Sequence, residues 1–191
     1  MPTYHLLNFT EFRADELAGY VTDKHHSYAR QAAEIIHDRL NHLMSMNDDS
    51  KEDYRHLWNL FDQLFLELDN HMRKEETILF PFVRKMVQAD QGHGEDEFPS
   101  VTMVRNPIEL LLKEHRRVSN LLQELRMATN QYKPADESSP TCKLCLAEMF
   151  DLDQDIQRHF YLEETVLYPK LIRLEEKLTA SKTDAGQTSI E

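Results

Sequence analysis

One eleven-residue phrase occurs twice in this chain. The first copy is His71-Met-Arg-Lys-Glu75-Glu76-Thr77-Ile-Leu79-Phe-Pro81, and the second is His159-Phe-Tyr-Leu-Glu163-Glu164-Thr165-Val-Leu167-Tyr-Pro169. Six of the eleven positions are identical, at a constant offset of 88 residues. In each copy a histidine stands four residues before a glutamate. On a helix, residues four apart share a face. Each copy therefore aims an imidazole and a carboxylate, both Lewis bases, at one point. Two such helices face to face would offer two nitrogens and two carboxylates to a shared centre.

The positions flanking these donors are apolar, so Glu75 and Glu163 sit on core stripes. A bare carboxylate there costs several kcal/mol. No lysine or arginine recurs on those stripes, which leaves a cation from solution as the simplest neutraliser. The repeat also extends beyond the phrase. His25 lies 46 residues before His71, and His115 lies 44 before His159. Helical-wheel counting from His25 meets Leu17, Ala18, Val21, Ala29, Ala32 and Ile36. Counting from His26 meets Gly19, Thr22, Asp23, Arg30 and Ala33. The apolar set selects His25. The candidate metal ligands are thus His25, His71, Glu75, His115, His159 and Glu163. Nitrogen with carboxylate suits iron, manganese or zinc better than calcium or magnesium. Four imidazoles and two carboxylates exceed what one zinc ion uses. They fit two octahedral ions bridged by both carboxylates, with iron the first choice.

Four helices are needed to position these donors. The first spans about Asp15 to Met46, with Leu17, Val21, His25, Tyr28, Ala32, Ile36, Leu40 and Leu43 at helical period. Asn47-Asp-Asp-Ser50 reads as a turn that caps the next helix. The second spans about Lys51 to Gln88, with Leu57, Leu60, Phe61, Leu64, Leu68, His71, Glu75, Ile78, Leu79 and Phe82 on its stripe, and Pro81 is expected to bend it. A polar loop from Gln91 to Glu97 and a connection over Phe98–Arg105 follow. Asn106-Pro107 opens the third helix, which runs to about Tyr132. The fourth runs from about Thr141 to Leu178. The expected fold is an all-α, up-down-up-down four-helix bundle of two pseudo-symmetric helical hairpins. It forms one domain over residues 1–178, with a disordered tail over 179–191.

Composition narrows the function. The chain has 191 residues and a formal net charge of −12, with acidic and basic residues mixed along it. That argues against nucleic acid or an anionic membrane surface as a partner. No apolar run approaches the roughly 20 residues of a membrane span. The first residues lack the pattern of a secretory signal, so a cytoplasmic location is expected. Two cysteines, Cys142 and Cys145, are too few for a disulfide framework.

Taken together, His25-His26-Ser-Tyr28, the two repeated phrases and Glu114-His115 resemble the hemerythrin-like (HHE cation-binding) domain. They are most similar to its di-iron branch, the repair-of-iron-centres proteins. The resemblance covers roughly residues 15 to 175. It implies a four-helix bundle holding two iron ions in an oxo-bridged di-iron centre, with His25, His71, Glu75, His115, His159 and Glu163 as ligands and Glu75 and Glu163 as bridges. It further implies a role in restoring iron–sulfur clusters damaged by oxidative or nitrosative stress, through iron delivery, nitric oxide handling or both. Iron–sulfur proteins would then be clients, and oxygen or nitric oxide small ligands. An oxygen or nitric oxide sensor or carrier, or an iron store, is the alternative. No motif of an established enzyme class is present; redox activity at the centre is the only catalysis to expect.

Two departures bear on this. Oxygen-carrying hemerythrin has a second histidine four residues after the one on its third helix, where this chain has Ser119. Its last helix places aspartate five residues after histidine, where this chain has Glu163 at four. Fewer histidines leave more coordination positions for exchange, which favours redox chemistry or iron transfer over oxygen carriage. Repair proteins often carry an N-terminal domain with adjacent cysteines; none precedes the first helix here, so a repair cycle depending on that domain is not expected. Glu67 and Glu114 could line a polar path for ions. Glu76 and Glu164 read as exposed charge, Cys142-x-x-Cys145 as a reduced pair without a special role, and His42 as a non-ligand.

Overall fold

The computed structural model describes residues 8–46, 51–93 and 104–187. Four long helical stretches carry the chain, and no strand occurs among the described residues. We label them α1 (residues 14–45), α2 (51–90), α3 (Arg105–Ala128) and α4 (140–187). α1, α2 and α4 are each interrupted by one π-helical turn, at Val21–His26, Glu75–Leu79 and Glu163–Leu167. α1 packs against both α2 and α4, and α2 against α3. This is the four-helix bundle expected from the periodicity. The 47–50 turn, the loop and connection over 94–103 and the last four residues of the chain lie outside the described residues.

Helix ends follow local chemistry. At the start of α1 the Arg13 N–H donates to Glu16 Oε2 (2.9 Å), satisfying an otherwise free first-turn donor. α2 ends on Gly92, whose φ of 75° lets the His93 N–H reach back to the Gln88 carbonyl (2.9 Å). Ser139 caps α4 by accepting the Cys142 N–H (3.2 Å), and Pro140 fills the first helical position, where no N–H is required.

α3 stops at Ala128, short of the expected Tyr132. Asn130, Gln131 and Tyr132 adopt φ values of 48°, 61° and 60°, a left-handed run that side chains disfavour. Their reward lies in the core. The Thr129 hydroxyl accepts the Tyr132 N–H (3.1 Å), and the buried Tyr132 phenol donates to Asp153 (2.7 Å). Arg126 closes the same carboxylate with two bonds of 2.6 and 2.5 Å. α4, by contrast, runs past the expected Leu178 to Gln187. Hydroxyls of Thr179 and Ser181 bond back to helix carbonyls there.

The core divides into two apolar clusters. The larger gathers Ile36, Leu40, Phe61, Leu64, Leu68, Met72, Leu122, Leu125, Met149 and Ile156 among others. The second gathers Leu17, Val21, Phe80, Val83, Met86, Ile108, Leu111, Leu167 and Leu171 among others. Each such side chain contributes about 1.5–3 kcal/mol of burial. Between the clusters lies a layer of buried histidines and glutamates, described below. Cys142 and Cys145 are free and buried in the larger cluster. Burial, the neighbouring Cys142 and Glu148 push the Cys145 thiol up to about 12, so it is no ready thiolate. At 1.5 Å per residue, Cys145 sits roughly 20 Å along α4 from His159.

Replacing Arg126 by Ala strands the fully buried Asp153 charge. It is expected to lower unfolding stability in urea by roughly 3 kcal/mol, while metal content stays that of the unaltered protein. A loss well under 1 kcal/mol would show that Arg126 is not what makes the burial of Asp153 tolerable.

Candidate metal centre

The three π turns all lie in the polar layer, and they set the register of its side chains. A π turn adds one residue to the helix, so wheel counting slips by one across it. Val21 and His26, buried at the two ends of the first π turn, are five residues apart. From His26 onward the buried positions are Ala29, Ala32, Ala33, Ile36, Leu40 and Leu43. After Glu75 the chain buries Leu79 and Phe80 and leaves Ile78 62% exposed; after Glu163 it buries Leu167 and Tyr168. The proline of each phrase, Pro81 and Pro169, falls just beyond a π turn. It lacks an N–H and crowds the carbonyl four residues back, a conflict that the wider turn absorbs. Thr22, Thr77 and Thr165 each donate a hydroxyl bond to the carbonyl four residues earlier, at 3.0, 2.6 and 2.6 Å.

Four imidazole Nε2 atoms and two carboxylates meet inside this layer. His26 Nε2 is 3.2 Å from His159 Nε2, and His71 Nε2 is 3.2 Å from His115 Nε2. Glu75 Oε2 lies 3.3 Å from His26 Nε2 and 3.4 Å from His71 Nε2, one nitrogen of each pair. Glu163 Oε1 lies 2.8 Å from His159 Nε2, and its Oε2 lies 3.1 Å from His115 Nε2. Two groups of potential ligands result: His26, Glu75, His159 and Glu163, and His71, His115 and Glu163. Glu163 belongs to both.

The outer faces of the rings are held in turn. His26 Nδ1 and His115 Nδ1 each sit 2.8 Å from a carboxylate, Glu76 and Glu164 respectively. Arg30 clamps Glu76 with bonds of 2.8 and 3.1 Å and also binds Asp69 (3.0 Å). His71 Nδ1 faces buried Glu114 at 3.4 Å, and the Lys74 ammonium closes on the other side of Glu114. Carboxylates behind the rings fix the Nδ1–H tautomer and turn the Nε2 lone pairs inward. The Tyr168 hydroxyl donates to Glu75 Oε1 (2.8 Å).

This donor set could hold metal. Inward lone pairs 3.2 Å apart repel unless something positive lies between them. About 3 Å is also the separation of neighbouring ligands around an octahedral ion with bonds near 2.1 Å. Glu75 Oε2 is buried without a hydrogen-bond partner among the described residues. Neither Glu75 nor Glu163 pairs with a lysine or arginine among them. Protons carry part of that role when metal is away. Burial pulls His71 down, but Glu75, Glu114 and Glu163 outweigh it and lift the imidazole to about 10. His159 is lifted to about 9 against burial by Glu163 and Glu75. Burial pushes Glu163 up, yet His159, His115 and His71 hold it well below the ordinary carboxylate range.

Of the six residues chosen from the sequence, the structure brings His71, Glu75, His115, His159 and Glu163 together and turns His25 away. His25 Nδ1 bonds Asp155, at 3.0 Å to each oxygen, and its ring stacks on His159 at 5.7 Å between centroids. The π turn at Val21–His26 puts His26 where wheel counting had put its neighbour. Glu76 and Glu164 are not idle surface charge, since each backs a histidine. Glu114 lies in the layer, whereas Glu67 is half-buried and sits near Arg117 (3.8 Å). His42 is exposed. Tyr168 escaped notice, though the phrase marks it: it is tyrosine where the first copy has Phe80.

The two halves of the chain each match one family description, the hemerythrin HHE cation binding domain, over residues 19–101 and 106–185. The chain belongs to this family. Hemerythrin-type domains hold non-haem iron, and the buried His/Glu groups here could hold it. The chain is 28% identical over 165 residues to the iron-sulfur cluster repair protein YtfE of Edwardsiella ictaluri, covering 83% of this chain and 66% of that protein. The protein of the same name from Escherichia coli is 26% identical over 157 residues, covering 82% and 66%. The hemerythrin-like chain thus spans just under two thirds of these relatives' length. Among its described residues, no helix is long and apolar enough to cross a membrane.

Two outcomes are expected. His26→Ala should lose bound iron and part of the metal-induced rise in melting temperature; full iron content by elemental analysis would return the first-helix ligand to His25. The second concerns pH. His71 and His159 carry folded-state values above the ordinary 6.5, so the stability their protons contribute to the metal-free protein is complete below about pH 6.5. It disappears as pH rises through about 9 to 10. Metal uptake displaces those protons. Calorimetry in buffers of different ionisation enthalpy should therefore record proton release on metal binding at neutral pH, and none would mean the rings are neutral beforehand.

Proposed function

We propose that this chain holds two iron ions, liganded by His26, His71, His115 and His159 and bridged by Glu75 and Glu163, and that it returns iron to damaged iron–sulfur centres. The observation that carries the reading is the pairing of four inward Nε2 atoms with two buried carboxylates that no lysine or arginine among the described residues neutralises. The names of the relatives support the repair role. Bound iron at this position supplies a redox couple and open positions for small ligands such as nitric oxide.

The chain's own residues set the terms. Glu76, Glu164 and Glu114 hold three of the rings by Nδ1, so the inner nitrogens are presented without rearrangement. Tyr168 fixes one oxygen of Glu75. The two apolar clusters keep bulk water from the layer on either side. Ser119 stands where an oxygen carrier has another histidine, which favours exchange over carriage. Clients would be iron–sulfur proteins that have lost metal. The work belongs in the cytoplasm, where Cys142 and Cys145 stay reduced. An oxygen or nitric oxide carrier is the second reading, favoured by the same enclosed pair of rings and carboxylates.

Ferrous-loaded protein mixed anaerobically with an apo ferredoxin, sulfide and thiol should restore the cluster's visible absorption faster than an equal amount of free iron. The double variant Glu75→Ala, Glu163→Ala should bind no iron, melt at a lower temperature after iron addition than the unaltered protein, and give no acceleration. Equal restoration by that variant would sink the repair reading. A stable, reversible oxygen adduct of the reduced protein with no iron transfer would favour carriage.

A further inference from the structure

The two hairpins are alike inside the centre and unlike at its edge. His25 precedes His26 as Glu114 precedes His115, and Asp155 stands four residues before His159 as Glu67 stands before His71. On the Glu114 side the Lys74 ammonium already occupies the carboxylate. On the other side the counterpart of Lys74 is Leu162, which carries no charge. There Asp155, 18% exposed, lines a cavity of about 410 Å³ with Tyr28, Phe150, Asp151, Gln154 and Arg158. Its two carboxylates outnumber the single guanidinium.

His25 links this cavity to the centre. Its side chain is more than nine-tenths buried, and Nδ1 points at the Asp155 carboxylate. With Nδ1–H donating to Asp155, Nε2 keeps its lone pair. That atom is buried and has no hydrogen-bond partner among the described residues. A buried polar atom left unsatisfied costs about 1–3 kcal/mol unless something else uses it. The ring lies nearly parallel to that of His159, 9° between planes and 5.7 Å between centroids. A neutral imidazole nitrogen and a carboxylate suit a divalent first-row transition metal.

We propose that Asp151, Asp155 and His25 form a transfer site through which a divalent transition-metal cation passes between solvent and the His26–His159 half of the centre. The ion exchanges water for the Asp151 and Asp155 carboxylates at the cavity, then these for His25 Nε2 on the inner side of the ring, and that nitrogen for the inner donors, with its charge unchanged. The inference rests on the reading that the inner donors hold iron.

The test uses the full chain, ferrous iron without oxygen, and a ferrous-specific pyridyl chelator. His25→Phe keeps an aromatic ring against His159 and Tyr20 but removes both nitrogens; Asp155→Asn keeps the shape and removes the charge. Loading of the metal-free protein and release to the chelator should each slow by about tenfold or more in both variants. Iron content at equilibrium and the melting temperatures of loaded and metal-free protein should not change. Should His25→Phe fold poorly, Asp155→Asn, at a partly exposed position, decides alone. Unchanged rates would overturn the transfer site, and so would a fall in equilibrium iron content, which would make these residues holding ligands. If the unaltered protein takes up no iron, the reading of the centre fails instead.

Discussion

Two carboxylates, Glu75 and Glu163, lie fully buried in the middle of a helical bundle, and no lysine or arginine among the described residues answers them. Everything near them serves that problem. Isolated burial of either anion would cost several kcal/mol, a large part of a domain's net stability. Four imidazoles converge on the pair, one from each helix, and the same rings answer the charge in two ways. Protonated, His71 and His159 offset it as cations. Deprotonated, they leave room for metal and join the carboxylates as ligands. The layer therefore trades protons for cations rather than choosing between a folded and an unfolded arrangement. The apolar clusters above and below it carry the folding energy that makes such a layer tolerable.

The bundle was legible in the sequence because its helices keep their period over long distances. The five residues that α2, α3 and α4 bring into the layer were legible because the hairpins repeat, and each His-x-x-x-Glu pair reaches no further than the first residue of its π turn. What wheel counting missed came from the turns themselves. The expectation for His25 assumed 3.6 residues per turn through Val21–His26, and the π turn there advances the register by one. The same slip exposes Ile78 and buries Phe80. A sign of these turns was present: a threonine in each, and a proline just after two of them. The left-handed run that ends α3 was not visible, since nothing in Asn130-Gln131-Tyr132 demands it. Its cause is a contact of Tyr132 with Asp153, twenty-one residues further on.

The pseudo-twofold holds for the donors and breaks behind them. His26 is backed by Glu76, and Glu76 by Arg30, whose guanidinium also binds Asp69. The residue corresponding to Arg30 in the second hairpin is Ser119, so Glu164 backs His115 without a clamp and stays exposed. His71 has a buried carboxylate behind it, itself neutralised by Lys74. His159 has the face of another imidazole, that of His25. Gene-duplicated halves would give two equal metal positions; these outer partners make them unequal.

Inequality of that kind has a direction. A carboxylate behind an imidazole raises its basicity and its hold on a cation. The His71–His115 pair has two such carboxylates behind it, Glu114 and Glu164. The His26–His159 pair has one, Glu76, and that one is shared with a guanidinium. On this count the second pair would hold a metal ion less strongly. It is also the pair whose edge opens toward Asp155 rather than toward an ammonium. Weaker hold and an anionic approach coincide on one side of the layer, and a centre built to release metal needs both in the same place.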